Sequence, residues 1–68
     1  MRIKKLIKSK HYEIFHEYEV AWNLVVPLVL KSKNRRKVGD KIRILNKGYY
    51  FLGIFKEGTF IVINAKKK

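Results

Sequence analysis

The stretch Lys41-Ile42-Arg43-Ile44-Leu45-Asn46-Lys47-Gly48-Tyr49-Tyr50-Phe51-Leu52-Gly53-Ile54-Phe55-Lys56-Glu57-Gly58-Thr59-Phe60-Ile61-Val62-Ile63-Asn64 decides the fold of this 68-residue chain. Ile42 and Ile44 alternate with Arg43, the period of a strand with one apolar face. Asn46-Lys47-Gly48 then supplies a tight turn, with Gly where a positive φ is needed. Tyr49 to Phe55 follows as an aromatic-rich strand, Lys56-Glu57-Gly58 repeats the turn chemistry, and Thr59 to Asn64 returns. The segment therefore reads as a three-stranded antiparallel meander. Gly53, in the middle of its second strand, marks a bulge or a sharp coil.

Working upstream, Leu24 to Leu30 reads as a further strand, with Pro27 at an edge or bulged position. His11 to Val20 fits two periods. As a strand it places Tyr12, Ile14, His16, Tyr18 and Val20 on one face; as a helix it aligns Phe15, Tyr18, Trp22 and Val25. Strict alternation and the β-forming residues favour the strand. Five strands with short turns give an all-β chain folded as a small closed or half-open barrel. Its expected organisation is a basic N-terminal arm at 1–10, a barrel domain at 11–65 and a basic tail at 66–68.

The bulk numbers are consistent with one thin-cored domain. A chain this short buries only about 60% of its unfolded surface, and it has no cysteine to staple it. Yet 47% of its residues are hydrophobic, too many for a disordered tail. Seventeen Lys and Arg against five Asp and Glu give a net charge of +12, which calls for a polyanionic partner. The longest apolar run, Val20 to Leu30, is broken by Asn23 and Pro27 and falls short of the ~20 residues that span a bilayer. No signal-peptide pattern opens the chain, so a cytoplasmic protein without membrane contact is expected. Absence of Gln and scarcity of Ser and Thr match the bias of heat-loving organisms.

Charge is segregated along the chain. Residues 1–10 hold Arg2, Lys4, Lys5, Lys8 and Lys10, residues 11–30 hold no base, and residues 31–47 hold Lys31, Lys33, Arg35, Arg36, Lys37, Lys41, Arg43 and Lys47 against Asp40 alone. Lys66, Lys67 and Lys68 close the chain, while Glu13, Glu17 and Glu19 fall inside the base-free stretch. Blocks of like charge read as arms and loops that contact a phosphate backbone. All of these bases, with Tyr50 as a stacking platform, form the expected RNA-binding set. Arg35, Arg36 and Arg43 lead it, because guanidinium forks grip phosphate bidentately. Phe51 and Trp22 are assigned to the core.

Val38-Gly39-Asp40-Lys41-Ile42-Arg43-Ile44, a Gly-Asp turn launching an alternating strand before an aromatic hairpin, resembles the SH3-like barrels of translation proteins. Gly48-Tyr49-Tyr50-Phe51-Leu52-Gly53-Ile54 is similar to the second half of PUA-type RNA-binding domains, which run longer and whose helical insertions this sequence is not expected to contain. The likeness covers residues 37–64. Together with size, charge and thermophile bias, it looks like a small extra protein of the archaeal large ribosomal subunit. That resemblance implies an SH3-like barrel, a ribosomal RNA partner and neighbouring ribosomal proteins.

Catalysis is not expected. No Gly-rich phosphate loop or Ser/His/Asp set is apparent, and a chain of this length leaves little room for a small-molecule pocket. His11 and His16, five apart, would face opposite ways on a strand, so no metal or other cofactor is expected. Glu13, Glu17 and Glu19 would pair with basic arms or keep RNA off their face. Two alternatives remain: an archaeal chromatin-type DNA-binding protein, whose bases would concentrate on a sheet face, and a virus-encoded protein that binds a host complex.

Overall fold

The computed structural model describes residues 2–68. Strand β1 (Lys5–Lys8) is followed by helices α1 (Lys10–Phe15) and α2 (Trp22–Lys31), then by β2 (Asn34–Val38), β3 (Lys41–Asn46), β4 (Tyr49–Lys56) and β5 (Thr59–Lys67). The strands form one sheet in the order β1-β5-β4-β3-β2. Neighbours are antiparallel except β1, which runs parallel to β5 with Leu6 opposite Phe60. Strand dominates the chain, as expected. The sheet is open and mixed, with β1 and β2 as its two edges.

The meander lies where its residues placed it. Lys47 and Gly48 both take positive φ, at 48° and 81°, and so do Glu57 and Gly58, at 51° and 82°. Two consecutive left-handed residues make the type I′ turn whose twist suits a hairpin. The β4–β5 register slips between Leu52 and Gly53, the bulge that Gly53 signalled. Ile44, Phe51, Phe60, Val62 and Ala65 turn one face of the sheet inward to meet Tyr12, Val20, Val25 and Val29 from the helical segment.

Five expectations are corrected. Residues 11–20 do not form a strand. Ser9 caps α1 by accepting the Tyr12 amide at 3.0 Å, and the chain then turns through 16–20. The alternation there was coincidental, since Tyr12, His16 and Val20 recur at helical and turn spacing and all three are buried. The alternative helical face fails too, because Phe15 and Tyr18 are 55% and 83% exposed.

Leu24 to Leu30 belongs to α2 rather than to a strand. Trp22, Val25 and Val29 share one helical face, and burial of that face outweighs the β-propensity of valine and the hydrogen bond that Pro27 removes. The N-terminal segment is more than an arm, because Leu6 docks on the core and draws β1 into the sheet. Residues 34–38 are an edge strand rather than a loop, and Lys66 and Lys67 extend β5 rather than forming a tail. No described helix is long and apolar enough to cross a membrane.

Tyr12 makes the core sensitive to alkali. Its hydroxyl donates to the Val20 carbonyl, and its side chain is fully buried. Desolvation, helped by the Glu17 carboxylate, pushes its pKa up from 10.0 to about 12. The folded state thus holds this proton more tightly than the unfolded chain does. That advantage is complete below pH ~10 and is lost as pH climbs towards 12, by at most about 2–3 kcal/mol. Urea melts of wild type and Y12F at stepped pH should show the wild type more stable by about 1 kcal/mol at pH 8. The gap should close above pH ~10. Lysines titrating in the same range act on both proteins alike and cancel in the difference.

Candidate nucleic-acid interface

Strand direction gathers bases that are far apart in sequence. The C-terminus of α2, the start of β2, the β3–β4 turn and the end of β5 all lie at one end of the sheet. Lys31, Lys33, Lys47 and Lys68 there line a shallow cleft of about 540 Å³ with Asn34, Leu45, Asn46, Gly48 and Tyr49. No acid lines it.

Polar side chains hold the walls of this cleft. Ser32 is buried at the α2–β2 corner, donating to the Leu45 carbonyl at 2.7 Å and accepting the Asn34 amide at 3.1 Å. Asn46 reaches from β3 to the Leu28 carbonyl at 2.9 Å, and the Lys68 amide donates to Gly48 at 2.7 Å. Each bond fixes the backbone next to a lysine, so four cations are held around one concavity. Four like charges on so small a surface raise its affinity for an anion.

Next to the cleft lies the sheet face that carries no helix. Its cross-strand rows run Asn34–Leu45–Tyr50–Lys66, then Arg36–Arg43–Leu52–Asn64, and beyond them Ile54–Ile61–Ile7. Arg36 stands directly opposite Arg43, an unfavourable placement for like charges unless an anion lies between them. The ion pairs among the described residues involve neither arginine; they are Lys8 with Glu17 at 3.0 Å and Glu13 at 4.0 Å, and Lys41 with Asp40 at 3.2 Å. The Lys41 ammonium, by hydrogen bond and by charge, holds the exposed Asp40 carboxyl below its ordinary range.

The seventeen expected contact residues therefore divide. Lys31, Lys33, Lys47 and Lys68 share the cleft; Arg36, Lys41, Arg43, Tyr50 and Lys66 share the open face beside it. Lys67 lies across from Tyr49 on β5, its amide reaching the Glu19 carboxylate at 3.5 Å. Lys8 is held by Glu17 and lies 5.8 Å from the Trp22 ring, and Lys10 opens α1. Lys4 and Lys5 lie at the other end of the sheet, where their amides donate to Gly58, and Arg2 precedes them, exposed. Asn34 and Asn46 were not anticipated, and the Asn46-Lys47-Gly48 turn was the available signal; Tyr49, beside Tyr50 a candidate stacking ring, lines the cleft.

Arg35 and Lys37 alternate to the helical side of β2. The Arg35 guanidinium donates to the Val29 and Leu30 carbonyls, both at 3.1 Å, and so caps α2. Arg35 is thus a structural residue, whereas Arg36 stands on the helix-free face opposite Arg43. R35A should lose about 1–2 kcal/mol of stability in thermal melts. R36A should melt like wild type yet bind nucleic acid several-fold more weakly.

Comparison of the chain with protein-family models, curated proteins and solved structures returned no match.

Proposed function

We propose that this chain is a non-enzymatic nucleic-acid-binding protein whose principal partner is RNA, acting as a structural component of a ribonucleoprotein. The observation that carries the reading is the acid-free lysine cleft running onto the basic, helix-free sheet face. Phosphates lie in the cleft near Lys31, Lys33, Lys47 and Lys68, Arg36 and Arg43 share a further phosphate, and Tyr50 offers a ring for stacking. Glu13, Glu17 and Glu19 belong to the helical side, which stays off the polyanion. The SH3-like likeness of residues 37–64 adds the large ribosomal subunit as the particular assembly.

Fractionation of native lysate on sucrose gradients at low and high salt tests this reading. The protein should travel with large ribosomal subunits at low salt and leave them as salt rises. Recovery with the nucleoid instead would overturn it.

A second reading, duplex DNA, is favoured by one arrangement: Arg36, Lys41 and Arg43 border Leu52 and Ile54 on an uncovered sheet face, as a minor-groove wedge requires. Tighter binding to a DNA duplex than to an RNA hairpin at equal salt, with bending of the duplex, would establish it.

A further inference from the structure

The base-free, acid-bearing stretch at 11–30 contains both histidines of the chain. On a strand, His11 and His16 would diverge. Helix α1 and the turn that ends it bring them together, with Nε2 of one 3.2 Å from Nε2 of the other. His11 lies on the surface with its ring 4.9 Å from that of Phe15, while His16 is buried, 9% exposed. One ring is therefore fixed by the core and the other is open to solvent.

A 3.2 Å separation is what two imidazoles on one metal ion require. Two nitrogens each ~2.0–2.1 Å from a tetrahedral ion lie ~3.3 Å apart. We propose that His11 and His16 form an open site for a divalent transition ion of the zinc, nickel and copper class, bound through the two Nε2 atoms. No third His, Cys, Asp or Glu completes the set among the described residues, so water fills the remaining positions. Imidazole nitrogen selects these ions over magnesium and calcium.

Electrostatics single out this site. A net charge of +12 repels a dication from most of the surface. Residues 11–30 contain no Lys or Arg, and Glu13, Glu17 and Glu19 sit within eight positions of His11. Glu13 and Glu17 also engage the nearby Lys8 ammonium.

Proton accounting is simple. With one ring carrying its proton on Nε2, that Nε2–H donates to the other Nε2 across the 3.2 Å contact; a metal replaces that hydrogen, and the donor ring moves its proton to Nδ1. No proton need be released when both rings are neutral. His16 Nδ1 is buried with no hydrogen-bond partner, so the oriented outer contact that strengthens most histidine–metal bonds is missing. Affinity should accordingly fall well below that of a four-ligand structural zinc site.

Calorimetric titration of the whole chain with zinc chloride, without nucleic acid, tests the proposal separately from RNA binding. One ion should bind per chain, and H11A should weaken binding by about tenfold or more while melting like wild type, because His11 is exposed. Copper(II) added to wild type should show electron-paramagnetic coupling to two nitrogens, and to one in H11A. E13Q, which removes a charge and no ligand, should shift zinc affinity by less than about threefold. Absence of zinc binding at 0.1 mM scale, equal affinity in H11A, half an ion per chain, or coupling to one nitrogen in wild type would each overturn the site.

Discussion

Replacing Lys31, Lys33, Lys47 and Lys68 together with alanine should weaken RNA binding about 100-fold at physiological salt. Each phosphate contact releases condensed counterion and contributes about −0.7 to the log–log salt slope for single strands. Four contacts contribute about −3 to that slope, or roughly two decades of affinity near 0.15 M. The cleft brings these lysines together, and their side chains carry no ion pair among the described residues. Stability should hold, or rise slightly as self-repulsion falls. A charge-matched control removes Arg2, Lys4, Lys5 and Lys56, none of which lines the cleft. It lowers net charge equally and should leave most of the slope. Anisotropy titrations at several salt concentrations separate the outcomes: equal slopes for the two quadruple variants would show that total charge, rather than the cleft, binds RNA.

G53A should destabilise the fold by about 3 kcal/mol or more, a large share of what a domain of this size possesses. The reason is space, not backbone freedom. A methyl group on Gly53 would sit 2.3 Å from the Ile61 carbonyl oxygen and 2.6 Å from the Phe60 ring, at the bulge where β4 coils over β5. Neither neighbour can yield easily, since one is sheet backbone and the other a fully buried ring. Gly39 gives the contrast. It has φ +65° and open space around it, so G39A should cost only about 1 kcal/mol through the left-handed backbone. Denaturant melts of both variants check this, and similar losses would contradict the packing account.

Gly53 also illustrates what was legible in the sequence. Residues 41–64 alternate, turn on glycine and share a core face, so local signals and tertiary structure agree there. They disagree upstream. Pro27 and a run of β-branched residues resemble an edge strand, but the face of Trp22, Val25 and Val29 completes the core and outweighs them. Ser9 capping Tyr12 was the missed helix signal. Strands β1 and β2 were obscured by their charge. Arg35 and Lys37 on one side of β2, and Arg36 on the other, leave no apolar alternation, as suits an edge strand that must not pair with another chain.

The abundance of bases was legible in the sequence, but their arrangement was not. Which lysines lie near one another depends on strand order and direction, set by contacts far along the chain. Composition could not show that Lys31 and Lys68 line one cleft. Nor could it show that Arg35 is committed to α2, or that a helix would bring His11 against His16.

An amide-resolved NMR titration of the labelled protein with an RNA hairpin tests the central claim most directly. Shifts should concentrate at Lys31, Lys33, Lys47, Gly48 and Lys68 and along Arg36, Arg43, Tyr50 and Lys66, leaving Glu13 to Glu19 unmoved. Shifts centred on α1, or spread evenly over every lysine, would contradict it.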